Sequence, residues 1–221
     1  MTLLRAAKPR TAAPASTRAY AQSFVVQVHR LLAAAFDRLR ATDLAKKEET
    51  AITGLLASAM REVIEGPERL PWASRFAVHD DPPIATPERE GRARLRLDIQ
   101  IERTDPGMHP RFPFEAKRLN RSDSVAEYVG EEGLGAFVTG IYAATHDTVG
   151  MLAYVQIDDG LKWAARIENK LETNRRAHGL GTRAAVWTEI SFAGTNLLSY
   201  ESSHQRRVSP VRVIHTFLPC R

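Results

Sequence analysis

Three side chains within 94–120 (RLRLDIQIERTDPGMHPRFPFEAKRLN) have the types and the spacing for chemistry on a phosphate: Asp98, Glu115 and Lys117. Residues two apart on a strand share a face, so Glu115 and Lys117 project together if 111–119 is extended. Alternation through 94–102 sets Asp98 with Arg94, Arg96 and Gln100, opposite a face of Leu95, Leu97, Ile99 and Ile101. If the two runs pair, one sheet face presents an Asp, a Glu and a Lys in a small area. Two carboxylates there hold a hard, oxygen-liganded cation such as Mg²⁺ or Mn²⁺. The neighbouring ammonium can orient a water or offset charge developing on a phosphate. Together these groups suit phosphodiester cleavage. An E-x-K triplet alone is common and on an exposed strand is usually a solvated face; Asp98 on the partner strand lifts this one above that background.

The elements that must position these groups follow from the same stretch. Thr104-Asp105-Pro106-Gly107 joins the two runs as a turn: Pro fixes φ, Gly supplies φ > 0 and Asp bonds its own backbone. The segment therefore reads as a β-hairpin with a loop longer than the tightest types. Upstream, Tyr20, Phe24, Val28, Leu31, Leu32, Ala35, Phe36 and Leu39 recur at helical spacing and predict a helix over 18–40. A second helix runs from Glu48 to about Glu65, with Ile52, Leu55, Leu56, Ala59, Met60 and Val63 as its buried stripe and Gly66-Pro67 as its stop. Glu48 and Glu49 open it. Acids in a first turn complement the helix dipole, and either one can also lie at the edge of the buried face, turned towards the hairpin. Residues 67–90 read as loop, with a short strand over 75–79; His79-Asp80-Asp81 are too close together in sequence to surround one ion.

Beyond the hairpin, Arg118 and Arg121 lie beside Lys117, placed to meet phosphate oxygens. Ser122 or Asp123 caps a helix over 125–129, and Leu134, Phe137, Val138, Ile141 and Tyr142 continue helical spacing to Ala144. GEEGLG at 130–135 lacks G-K-[ST], and its Glu131-Glu132 pair repels phosphate, which excludes a P-loop. VGMLAYVQI at 149–157 reads as a strand buried on both faces. Residues 161–173 form an amphipathic helix with Leu161, Ala164, Ile167 and Leu171 on its apolar face; strands follow over 184–192, 197–204 and 211–218. Ser202-x-His204-x-Arg206, followed by Arg207, sets a hydroxyl, an imidazole and a guanidinium on one side of an extended chain, either as a phosphate clamp or as a polar turn between strands. No G-x-S-x-G elbow supports a Ser-His-acid hydrolase.

Composition sets outer limits. The chain has 221 residues, 43% of them hydrophobic and 26% charged, as in ordinary globular proteins. A net charge of +5 and a pI near 9.6 suit a polyanionic partner, most simply nucleic acid. The one cysteine, Cys220, excludes a disulfide framework and a thiolate zinc site and fits a reducing cytoplasm. No apolar run approaches a membrane span. Residues 1–17 carry Arg5, Lys8 and Arg10 and no acid. They resemble a transit peptide in composition, but Pro9 and Pro14 interrupt any amphipathic helix, which favours a basic flexible tail. Residues 18–221 then form a single α/β domain, with its core over about 46–157 and C-terminal strands to 218.

Asp98 followed by Glu115-x-Lys117 resembles the D…(D/E)-x-K signature of the PD-(D/E)XK nuclease superfamily, the restriction-endonuclease-like fold. Leu97 stands where the family's name places Pro, a minor departure. The order helix, hairpin, helix and buried strand across roughly Lys46 to Ile157 agrees with that family. The resemblance implies a central mixed β-sheet flanked by helices, Mg²⁺ or Mn²⁺ bound by Asp98 and Glu115 with Glu49, and Lys117 acting on the attacking water. It also implies a carboxylate from the preceding helix, and the order Glu-x-x-Ile-Thr-x-x-Leu selects Glu49 over Glu48. Arg118, Arg121, His204, Arg206 and Arg207 would hold phosphates. DNA is favoured over RNA because the superfamily mostly cuts DNA, and short basic members resemble effectors of bacterial defence or restriction systems, with a homodimer or a partner protein. The rivals are a nucleic-acid-binding or scaffold subunit that keeps the fold without cutting, and an interaction module whose E-x-K is accidental.

Overall fold

A computed structural model describes residues 15–67, 69–84, 95–105, 109–181, 186–207 and 209–221. Most of the basic 1–17 stretch, Arg94 and the Pro106-Gly107 turn lie outside the described residues. The architecture is α/β. In chain order the elements are α1 (Ala15–Arg38), α2 (Glu49–Glu65), β1 (Phe76–Asp80), β2 (Ile99–Arg103), β3 (Arg111–Leu119), α3 (Ser124–Val129), α4 (Leu134–Thr139), β4 (Thr148–Val155), α5 (Gly160–Thr173), β5 (Thr188–Ile190), β6 (Leu198–His204) and β7 (Val211–Pro219). The seven strands form one mixed sheet in the order β1-β2-β3-β4-β7-β6-β5. β3–β4 and β4–β7 are parallel, and the other pairs are antiparallel.

Side-chain alternation on the central strands divides the interior into two layers. Phe112, Phe114 and Ala116 of β3, Leu152 and Tyr154 of β4, and Ile214 and Leu218 of β7 pack against α1 and α2. Leu119, Met151, Ala153, Val213 and Phe217, on the other face, pack with Tyr128, Phe137, Trp163 and Ile167 of α3, α4 and α5. Burial on both faces is why β4 reads as an unbroken apolar run. Gly150 has a steric reason: a Cβ there would lie 2.2 Å from the Phe114 ring, so only glycine lets that ring close over β4. Pro113 sits in β3 just before its register with β4 begins at Phe114, where a missing N–H removes no bond to that strand.

The expected hairpin forms, with Ile99 opposite Phe114 and Ile101 opposite Phe112. Its first strand is shorter than the alternation predicts. β2 begins at Ile99, and Asp98 lies in a bend just before it. Residues 95–98 instead continue alongside 81–84, through Leu97 N–H to Pro82 O, Ile84 N–H to Leu95 O and Asp81 N–H to Asp98 O. The bend puts Leu97 in the α3–α5 layer, whereas Ile99 and Ile101 lie in the α1–α2 layer, so the four apolar residues do not share one face. α4 stops at Thr139 rather than running to Ala144, because Gly140 takes the left-handed conformation that closes a helix. α5 buries Trp163, whose Nε1–H bonds Ile157 O at 2.8 Å, and leaves Leu161, in its first turn, 62% exposed. Among the described residues no helix is long and apolar enough to cross a membrane.

Candidate active site

The site occupies a gap in the sheet. Past Phe114, β3 has no β2 residue opposite it, because the chain before Ile99 bends away. The freed N–H groups of β3 are taken up by side chains. Ala116 N–H donates to Asp98 Oδ2 at 2.7 Å, and Arg118 N–H donates to Glu49 Oε2 at 2.9 Å. Two carboxylates thus stand where a neighbouring strand would have supplied carbonyls, which satisfies the backbone and fixes both acids against β3.

Glu115 and Lys117 project from the α3–α5 face of β3, beside Met151 and Ala153 of β4. Lys117 Nζ stands 2.9 Å from Glu115 Oε1 and 3.3 Å from Glu49 Oε1, so the ammonium bridges the strand acid and the helix acid. All four predicted side chains therefore meet, although they come from α2, the bend before β2, and β3. The resemblance selected Glu49 over Glu48, and their placement differs accordingly. Glu49 is the first residue of α2 and turns to β3, whereas Glu48 precedes the helix and pairs outward with the Arg118 guanidinium at 2.6 Å.

Burial sets the electrostatics. Desolvation pushes the Glu115 carboxyl up to about 8, reinforced by the charge of Asp98 and opposed by Lys117. Asp98 is also raised, again chiefly by desolvation, with the Ala116 N–H and Lys117 pulling the other way. For Lys117, desolvation disfavours the charge, but Glu115, Glu49 and Asp98 together outweigh it and hold the ammonium protonated. Glu115 Oε2 is buried without a partner when both carboxyls are ionised; protonated, as burial favours, Glu115 shares that proton with Asp98, and once it is lost the oxygen is left for a cation.

Among the described residues no three His, Cys, Asp or Glu side chains are grouped to hold a metal ion. Glu49 is engaged by Lys117 and the Arg118 N–H, which leaves Asp98 and Glu115 as the carboxylate pair. Hard oxygen donors with one orphaned buried oxygen fit a Mg²⁺-type ion, which is commonly held by one or two carboxylates with water and phosphate oxygens completing its shell.

Gln156 was not singled out by sequence reasoning. It follows β4 directly, is buried, and its Nε2 donates to Leu44 O at 2.8 Å and Lys47 O at 2.9 Å. Those bonds fasten the connection between α1 and α2 to the end of the sheet and so fix where α2, and Glu49 with it, begins. A lone glutamine after an apolar run carries no pattern that would reveal this.

The residues expected to meet phosphate are placed differently. Arg118 contacts Glu48 and Lys47 O, and Arg121 pairs with Asp123 at 2.7 Å and with Glu127, so both guanidiniums already have partners. Ser202, His204 and Arg206 do share one side of the chain, but Ser202 and His204 point into the interior. His204 is fully buried: Nδ1–H donates to His178 O at 2.6 Å, and Nε2 lies 2.6 Å from Ser202 Oγ. Ser202 Oγ also lies 2.7 Å from His215 Nε2, and His215 Nδ1 is 2.9 Å from the Tyr128 hydroxyl. With the His178 carbonyl fixing the His204 tautomer, Ser202 donates to His204, His215 donates to Ser202, and Tyr128 donates to His215. Arg206 binds the carbonyls of Ala143, His146 and Ser209. Of Ser202, His204, Arg206 and Arg207, Arg207 is the exposed one. The cluster is thus a polar core, in which a phosphate would find no open His204 nitrogen.

No family model matches the chain, and no curated protein and no solved structure matches it.

Proposed function

We propose that this protein is a metal-dependent nuclease that hydrolyses phosphodiester bonds of nucleic acid, with DNA favoured, and acts in a reducing cytoplasm. One observation carries the reading. Asp98, Glu115, Lys117 and Glu49 converge from separate elements at a gap where β3 lacks a sheet partner. Further support comes from the order of elements: the PD-(D/E)XK resemblance implies a helix, a hairpin, a helix and a buried strand, and the chain runs through α2, β1, the β2–β3 hairpin, α3, α4 and the parallel strand β4.

Asp98 and Glu115 would hold Mg²⁺ or Mn²⁺, with Glu49 as the helix carboxylate beside them. When bound, that ion supplies a lowered pKa for water and a positive charge against the phosphate. Lys117 Nζ, the ammonium closest to both Glu49 and Glu115, orients the attacking water and donates to a non-bridging phosphate oxygen as charge develops there. Glu49 and Glu115 hold Lys117 in position, and the Ala116 N–H orients Asp98. Exposed Arg207 and the chain's net positive charge attract the polyanion. By association with short basic members of the family, the setting would be a bacterial defence or restriction system, with a homodimer or a partner protein.

The test is incubation of supercoiled plasmid, linear duplex, single-stranded DNA and RNA with the protein in Mg²⁺, Mn²⁺ or EDTA. Asp98→Ala and Lys117→Ala proteins run alongside. Metal-dependent cutting that both substitutions abolish, with near-UV circular dichroism retained, supports the reading and identifies the substrate. If the intact protein does not cut, metal titration calorimetry decides: the absence of Asp98-dependent binding of Mg²⁺ or Mn²⁺ sinks the catalytic reading.

A further inference from the structure

A cavity of about 600 Å³ lies at the ends of β4 and β7, under α1, and none of Glu49, Asp98, Glu115 or Lys117 lines it. Its volume is that of a site for a small organic molecule. Part of the wall is apolar and already desolvated, including Leu39, Leu44, Phe217 and Cys220. The rest is polar, with Thr42, Thr195 and Asn196 beside Arg30, Arg40 and Arg221. Asp37 pairs with Arg40 at 2.8 Å and Asp159 feels the charge of Arg221, so Arg30 is the guanidinium left to meet an anion. The Arg30 guanidinium lies 5.5 Å from the centre of the Trp72 ring, a contact that orients it without neutralising it. Apolar walls favour a hydrophobic body, and guanidiniums beside them favour an anionic group on that body.

We propose that this cavity is a binding site for a small anionic molecule with an apolar body. Arg30 recognises the anion, and the wall of Leu39, Leu44 and Phe217 takes the hydrophobic part. The site is independent of the nuclease reading, because it shares no residue with the carboxylate cluster. Its wall does include Thr42 and Leu44, in the connection that Gln156 fastens ahead of Glu49.

The probe is 8-anilinonaphthalene-1-sulfonate, an aromatic body bearing one sulfonate, titrated into the full chain by fluorescence. N-phenyl-1-naphthylamine, which lacks the sulfonate, serves as the neutral control. The expected result is saturable binding of one equivalent to the folded protein. Arg30→Gln should weaken it about tenfold, the usual effect of losing one charge-assisted bond, and Ala33→Trp, which fills the cavity from α1, should abolish it. Near-UV circular dichroism of each variant establishes that it is folded; if Ala33→Trp is not, Arg30→Gln decides alone. Binding unaffected by Arg30→Gln, or no saturable binding by the folded wild type, overturns the site. Equal or tighter binding of the neutral control overturns the anionic class.

Discussion

The Arg118 backbone N–H donates to Glu49 Oε2 at 2.9 Å, joining the first residue of α2 to the middle of the sheet. A backbone donor that would otherwise have a strand carbonyl as partner is held by a side chain far away in sequence. Glu49→Ala should therefore destabilise the fold by about 1–3 kcal/mol, the cost of an unpaired partly buried donor. Urea unfolding measures the loss, and amide exchange at Arg118 should accelerate. An unchanged Arg118 exchange rate would mean that this bond does not form in solution.

Glu115 makes a prediction of opposite sign. Its carboxyl is held at about 8 in the folded chain, above the ordinary 4.5, so the folded state binds that proton more tightly than the unfolded state. The resulting stability is complete below about pH 4.5 and lost as pH rises to about 8. In EDTA, Glu115→Gln should be more stable than wild type near pH 8, with the difference shrinking towards pH 5. The same variant should lose calorimetric Mg²⁺ binding. A constant difference across that range would refute the burial of this charge.

Three histidines act in the opposite direction. Burial lowers His29 to about 4, lowers His204 to about 4, and holds His215 well below its ordinary value. The unfolded chain then takes up protons that the folded chain refuses, so stability falls as pH drops from about 6.5 to about 4. Each histidine contributes a slope of up to about 1.4 kcal/mol per pH unit. The Glu115→Gln background separates this effect from the carboxyl. Urea midpoints that stay level over that interval would show that these rings admit protons without unfolding.

Gln156 should separate positioning from metal binding. Gln156→Leu removes both donors to the carbonyls of Leu44 and Lys47 while leaving Asp98 and Glu115 in place. Cleavage should fall about 10- to 100-fold, because Glu49 and the Lys117 it holds lose their placement. Mg²⁺ affinity by calorimetry should stay within about twofold, since Gln156 bonds neither Asp98 nor Glu115. Equal losses of both would show that this anchor also sets the placement of the metal ligands.

Much of the fold was legible because period and punctuation agree. The 3.6-residue spacing of Phe24 to Leu39 marks α1, the apolar run read over 149–157 marks β4, which ends at Val155 and leaves Ile157 exposed, and Gly66-Pro67 ends α2. The site was legible in part: Asp98, Glu115 and Lys117 meet because a hairpin and a two-residue repeat bring them together. The bend at Asp98 was not visible, since the alternating Leu95–Ile101 pattern fits an unbroken strand equally well, and only pairing with 81–84 turns Leu97 to the other layer. The inward turn of Ser202 and His204 was hidden for a related reason. A polar residue on a strand looks the same whether its partner is water or another buried side chain.

That second group, the chain from Tyr128 through His215 and Ser202 to His204 and the His178 carbonyl, has a consequence for how the C-terminal half assembles. Its links join α3, β7, β6 and the segment after α5, and every donor has one acceptor only when all four are in place. If β6 slid against β7, the buried imidazoles and the hydroxyl would be left without partners, a cost added to that of misplacing the apolar side chains of β7. The polar chain therefore acts as a lock on strand register, rejecting misaligned pairings rather than adding affinity to the correct one.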